Sequence, residues 1–189
     1  MKLYTIIAGV NGAGKSSLTG ALKADHSDFG VIIDVDKLST ELKSPIAGGK
    51  AAIERIDDAL RRGVSFTQET TLSGTRTEKT IQRAIERGYR IRLYYVGVDT
   101  AEESISRIKN RVSKGGHNIP TNDVLRRFEN RFCDLAKILP YCDEAVFFDN
   151  ENGFVEVAEY KNGELVTKVN KSPKWLRTLI DEIGRLRRP

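Results

Sequence analysis

The sequence predicts an α/β fold, a mostly parallel sheet with helices on both faces. Three observations predict it. Strand-like and helix-like segments alternate from residue 3 to residue 148, the pattern of chained β–α units. Residues 3–8 are a continuous apolar run rather than an alternating one, as a strand buried on both faces is. A glycine-rich loop, Gly9-Val10-Asn11-Gly12-Ala13-Gly14-Lys15-Ser16, joins that run to the first helical segment.

The elements follow in order. After the glycine loop a helix is expected from about 15 to 23. Residues 31–33 read as a second strand ending at Asp34-Val35-Asp36. A helical pattern covers about 50–62 and stops at Gly63, and residues 64–68 read as a third strand. A helix over 77–86 stops at Gly88. Residues 90–98, rich in aromatic and branched side chains, make a strong fourth strand. Helices follow at 101–113, closed by Gly115-Gly116, and at about 122–139, ended by Pro140. Residues 144–148 are the fifth strand. The pattern then changes: 154–160 and 164–169 flank Asn162-Gly163, a strong hairpin signal. Pro173 opens a last helix bearing Trp175, Leu176, Leu179, Ile180 and Ile183. We therefore expect a core over 1–150, with a hairpin and helix over 151–189 packed on it.

Composition narrows the function classes. The 189 residues are 39% hydrophobic and 30% charged, the balance of a water-exposed globular chain. No apolar run approaches the roughly 18–20 residues that span a bilayer. The opening run is too short for a signal-peptide core and leads straight into the glycine loop, so a cytoplasmic location is expected. Cys133 and Cys142 match no zinc spacing, and with only His26 and His117 beside them a structural metal site is not expected. Both cysteines are expected as reduced thiols. The net charge is +5, and residues 107–131 alone hold seven basic residues against two acidic ones. A second basic cluster is Arg185, Arg187 and Arg188.

The glycine loop carries the clearest chemistry. Glycines at 9, 12 and 14 allow backbone angles and close approaches that side chains block. Successive N–H groups at a helix start then face anionic oxygens. In this spacing Lys15 reaches the β- and γ-phosphates of a nucleotide and the Ser16 hydroxyl suits Mg²⁺. Asp34 and Asp36 fall at a strand's C-terminal end, where ligands bind in parallel sheets. A carboxylate there takes a proton from a substrate hydroxyl, holds a metal, or caps a helix. Asp36 is favoured as base. If the strand stays extended, only one of the two faces the crevice. Gln68-Glu69-Thr70-Thr71-Leu72-Ser73-Gly74 adds a carboxylate and hydroxyls at the same edge, suited to a polyhydroxylated substrate or to a polar turn. In the basic segment, Arg107 and Arg111 point away from the apolar face of their helix. Arg127 flanks the apolar face of the next one and Arg126 points opposite. The intervening Gly115-Gly116-His117-Asn118-Ile119-Pro120 is hinge-like, so the pair suits a phosphate-closing lid.

Taken together, these segments resemble the zeta-toxin-type kinases. The resemblance lies in residues 8–17 (AGVNGAGKSS), 34–36, 69–74 (ETTLSG) and 111–120 (RVSKGGHNIP), in Arg126-Arg127-Phe128 and in Asp149-Asn150. It implies a P-loop kinase sheet of five parallel strands in the order 2-3-1-4-5 with a helical lid over about 107–131. It implies ATP and Mg²⁺ as cofactors, held by Gly9, Asn11, Gly12, Ala13, Gly14, Lys15, Ser16, Ser17 and Asn150, with Ser16 as the metal ligand. Asp36 would be the base and Arg111 and Arg127 the lid arginines that join Lys15 in catalysis. Glu69, Thr70 and Thr71 would hold an acceptor such as UDP-N-acetylglucosamine alongside Asp36. An antitoxin would be the protein partner. Two other readings compete: a P-loop kinase for another metabolite, nucleoside or antibiotic, and a nucleic-acid-associated ATPase. The last predicts interleaved aromatics, and 107–131 holds only Phe128 besides His117, so no nucleic acid partner is expected.

Overall fold

The computed structural model describes residues 1–25, 27–116 and 118–186. His26 and His117, and Arg187 and Arg188 of the basic tail, lie outside the described residues. In chain order the elements are β1 (Lys2–Ala8), α1 (Lys15–Asp25), β2 (Val31–Asp34), α2 (Val35–Glu41), α3 (Pro45–Arg62), β3 (Phe66–Thr70) and α4 (Arg76–Ile85). They continue with β4 (Tyr89–Gly97), α5 (Ala101–Ser113), α6 (Thr121–Ile138), β5 (Glu144–Asp149), β6 (Val155–Lys161), β7 (Glu164–Thr167) and α7 (Lys174–Leu186).

The strands lie in the order β2-β3-β1-β4-β5-β6-β7. β1 to β5 are parallel, in the order 2-3-1-4-5. β6 and β7 add antiparallel to the β5 edge. The sheet therefore has seven strands and is mixed, where five parallel strands were expected. The hairpin extends the sheet instead of packing on it, because the fifth strand leaves an edge of unpaired N–H and C=O groups that β6 satisfies. Asn162 and Gly163 both have positive φ, as a two-residue turn with the sheet's twist requires.

β1 is central and its last six residues are all buried, which is why its sequence does not alternate. Helices cover both faces. The core contains Tyr4, Ile6, Phe66, Ile81, Leu93, Leu135, Phe147 and Trp175. A second cluster, with Ile7, Leu18, Phe29 and Val96, lies under α1. Register aligns the strand ends: Ala8 pairs with Thr70, and Asp34 pairs with Glu69. One row of C-terminal strand ends thus collects the polar residues picked out along the sequence.

Two boundaries differ from expectation. The helix expected from about 50 starts at Pro45, where the Ser44 side chain caps by accepting from the Ala47 N–H and proline fills the first turn. A further helix, α2, follows β2 directly, with Asp34 capping it through the N–H groups of Asp36 and Lys37. No helix among the described residues is long and apolar enough to cross a membrane.

Trp175 ties the C-terminal helix to the sheet. Its indole N–H donates to Asp149 Oδ1 at 2.7 Å and its backbone N–H to Asp99 Oδ1 at 2.8 Å. The ring lies against Gly97, where any Cβ would collide with it. Trp175→Ala is expected to cost about 3–5 kcal/mol, the usual range for a fully buried tryptophan, read as a lower urea midpoint.

Candidate active site

The C-terminal strand ends open into a cleft of about 790 Å³, the size of small-ligand sites. Its walls come from four places. The glycine loop and α1 contribute Asn11, Gly12, Gly14, Lys15, Ser16 and Ser17. The end of β2 and the start of α2 contribute Asp34 and Asp36. The end of β3 and the turn into α4 contribute Gln68, Glu69, Thr70 and Thr71. The helical pair contributes Arg107, Arg111 and Arg127.

The loop conformation is one that needs glycine. Gly12 has φ +79° and Gly14 φ +106°. A Cβ at Gly12 would also lie 2.7 Å from the Ser104 carbonyl oxygen of α5, so the loop packs directly on α5. The Ala13 N–H closes the turn onto Val10 O at 3.2 Å, while the N–H groups of Gly12 and Gly14 make no hydrogen bond among the described residues. Such donors at a helix start fit an anion. Lys15 Nζ donates to the carbonyls of Gly9 and Val10 at 3.0 and 3.2 Å. Burial lowers its pKa, and the carboxylates of Asp36, Glu69 and Asp34 partly oppose that.

Glu69 is the hub of the cleft floor. Its two carboxylate oxygens accept from Ser16 Oγ at 2.7 Å and Thr19 Oγ1 at 2.6 Å. It is 6% exposed. Burial raises its pKa, and the hydrogen bonds from Thr19 and Ser16 pull the other way. Ser16, expected at a metal, thus donates to Glu69, and Glu69, expected at the acceptor, also braces α1. Thr70 Oγ1 accepts from the Leu72 N–H at 3.0 Å, and Thr71 pairs with Ser73.

Both Asp34 and Asp36 line the cleft. The expectation that only one would do so assumed an extended strand. The chain turns helical at Val35 instead, so the two side chains sit at one helix start and not on opposite strand faces. Asp34 is occupied with capping, which leaves Asp36 as the acid without that duty.

The basic segment sorts as its helical angles implied for Arg126 and Arg127. Arg127 Nη1 donates to Asn11 Oδ1 at 2.8 Å, linking α6 to the glycine loop. Arg126 turns outward and pairs with Asp123. Arg111 lines the cleft. Arg131 stacks on Phe128 and Phe132 instead. Ile108, Ile119 and Val124 form a small core between the helices. Asn150 does not line the cleft. Its amide donates to Ala13 O at 2.8 Å, and its own carbonyl accepts from Arg107, so it braces the loop. Gly9 and Ala13 likewise lie behind the lining, Gly9 as the acceptor for Lys15.

Sequence reasoning missed three residues here. Thr19 sits one helical turn after Lys15, a spacing that places it on the same face. Arg107, which the helical angle left as either solvated or cleft-facing, lines the cleft. Arg76 and Lys79 of α4 also line the cleft, and no motif pointed to them.

A glycine loop after the central strand of a 2-3-1-4-5 sheet, under a basic helical pair, is the arrangement of a P-loop kinase, an enzyme of phosphoryl transfer. The chain belongs to the zeta toxin family, whose model matches residues 48–152, more than half of it. That stretch begins after the glycine loop, so the loop is independent support. A protein of Haemophilus influenzae described only as uncharacterized is 31% identical over 126 residues, covering 64% of this chain and 88% of that one. Among solved structures, one of the PezAT chromosomal toxin–antitoxin system of Streptococcus pneumoniae superposes with a TM-score of 0.65. Its identity is 16%, over 98% of this chain and 87% of its own. The AvrRxo1-ORF1:-ORF2 complex with ATP gives a TM-score of 0.70 at 19% identity, over 97% of this chain and 63% of its own. At those identities the likeness is one of fold.

The buried Glu69 makes stability pH-dependent. An unfolded glutamate titrates near pH 4.3, and the folded one titrates higher. The folded state therefore holds the proton more tightly. The stability linked to neutral Glu69 is present below that pH and is lost as pH rises through the folded-state value. Urea unfolding from about pH 4 to pH 8 is expected to show the wild type losing stability relative to Glu69→Gln as pH rises.

Proposed function

We propose that this protein transfers the γ-phosphate of ATP to a hydroxyl of a sugar nucleotide of the UDP-N-acetylglucosamine type. The observation that carries this is the pairing of two unlike walls in one cleft. The glycine loop with Lys15 faces the donor, and Asp36 with Glu69, Thr70 and Thr71 faces an acceptor. ATP suits the residues present, since the loop offers unused N–H donors and close backbone approach. When bound, ATP supplies the phosphoryl group and Mg²⁺ offsets its charge.

The chain's own residues do the rest. Lys15, held on the loop carbonyls, offers its charge to the donor phosphates. Ser16 is the ligand for Mg²⁺ in this reading, with its hydroxyl oriented by Glu69. Asp36 accepts the proton of the attacking hydroxyl. Arg127, steadied by Asn11, and Arg111 stabilise charge on the transferring group and help to exclude water. Glu69, Thr70 and Thr71 orient the acceptor's hydroxyls.

Incubation with ATP, Mg²⁺ and UDP-N-acetylglucosamine, followed by mass spectrometry, is expected to reveal a sugar nucleotide heavier by one phosphoryl group. Absence of product alongside clear ATP binding would overturn the acceptor assignment. Asp36→Asn is expected to lower kcat by about 10²–10⁴, the usual worth of a general base, with ATP affinity retained. Lys15→Ala is expected to weaken ATP binding itself. PezAT is a toxin–antitoxin system by name, and an antitoxin partner is proposed here by the same likeness. Expression of this chain alone is then expected to arrest bacterial growth, and Asp36→Asn to relieve the arrest.

A further inference from the structure

Positive charge lines the cleft on more than one wall. Its lining includes six cationic side chains (Lys15, Arg76, Lys79, Arg107, Arg111 and Arg127) and three carboxylates (Asp34, Asp36 and Glu69). Four of the cations stand with the glycine loop or the helical pair above it. Lys15 is spent on the loop carbonyls, Arg107 on Asn150, Ala13 and Glu103, and Arg127 on Asn11.

Arg76 and Lys79 belong to the other wall. Both lie in the first turns of α4, which follows the β3 end carrying Glu69 and Thr70. β3 lies between β1 and β2 in the sheet, and Glu69 at its end pairs in register with Asp34, so this wall adjoins the one that carries Asp36. Neither side chain makes an ion pair or hydrogen bond among the described residues. Arg83 in the same helix pairs with Asp57, and Arg61 and Arg62 of α3 pair with Asp58. Two unpaired cations three residues apart share one helix face. Both side chains are exposed at the cleft, and a pair of cations without a protein partner suits a phosphate group.

The cleft floor beside them is also a donor surface. Gln68 is 5% exposed. The buried Tyr4 hydroxyl donates to its Oε1, so the amide is oriented, and Nε2 makes no hydrogen bond among the described residues. A fixed amide N–H₂ and two free cations on one wall suit an acceptor rich in anionic and carbonyl oxygens.

We infer that Arg76 and Lys79 form a second phosphate site, which binds a phosphate or diphosphate group carried by the acceptor. They are thereby specificity-determining residues: an acceptor bearing that group is selected over its neutral counterpart. The inference rests on the kinase reading above only in assigning the glycine-loop wall to the donor.

The direct test fills the glycine loop with a non-hydrolysable ATP analogue and Mg²⁺, then titrates inorganic pyrophosphate by calorimetry. One further pyrophosphate is expected to bind the wild type. The Arg76→Ala/Lys79→Ala double variant is expected to bind it at least tenfold more weakly, with unchanged affinity for the ATP analogue. Arg76→Lys is expected to retain part of the binding, because charge is conserved. No second pyrophosphate on the wild type, or equal binding by the double variant, overturns the inference. Turnover separates it from the acceptor assignment. If UDP-N-acetylglucosamine is phosphorylated, the double variant is expected to raise its KM at least tenfold with kcat little changed, and an unchanged KM overturns the inference. If it is not phosphorylated but the pyrophosphate result holds, the phosphate site stands and the sugar-nucleotide assignment falls.

Discussion

The site depends on one buried carboxylate. Glu69 ends β3 beside the glycine loop and accepts from hydroxyls on two turns of α1. That couples the start of α1 to the sheet at the point where the loop must hold its shape. The same carboxylate acts electrostatically on Lys15 and pairs in register with Asp34. Charged groups are placed there against their own solvation: burial lowers the Lys15 pKa and raises that of Glu69. Opposed shifts of this kind in one cleft mark sites selected for chemistry over stability.

Around this hub the loop is held from behind as well as below. Asn150, which follows β5, donates to Ala13 O, and Arg107 reaches the same carbonyl from α5. Arg127 holds Asn11 from α6. Ser104 and Ile108 crowd the space beside Gly12. Arg107 and Arg127 therefore do two things: they bring positive charge to the cleft, and they hold the glycine loop in place. Preorganisation of this sort is where most electrostatic catalysis originates.

The C-terminal segment completes the scaffold at a distance from the chemistry. The hairpin covers the β5 edge, and α7 buries Trp175 against Gly97 at the end of β4. Through Asp149 and Asp99 the indole and its backbone N–H secure the loops that follow β5 and β4. Asn150 is the next residue after Asp149. A packing contact between tail and sheet thus steadies a residue that braces the glycine loop.

What the sequence determined by itself was the grouping of polar residues that lie in short contiguous runs. The glycine loop, its lysine and serine, the β3 carboxylate and hydroxyls, and the outward turn of Arg126 are all local, because spacing within one loop, strand or helix face already decides them. Strand alternation decided the fold class for the same reason. Tertiary structure decided what depends on distant segments meeting. Arg107, Asn150 and Ala13 converge across 137 positions of chain, and no local period encodes that. Both aspartates line the cleft because Asp34 ends the strand and caps the helix that starts at the next residue. Glu69 braces α1 because parallel register sets β3 beside β1. Arg76 and Lys79 carry no motif, since two cations in a helix look like any solvated face until the fold turns that face into the cleft.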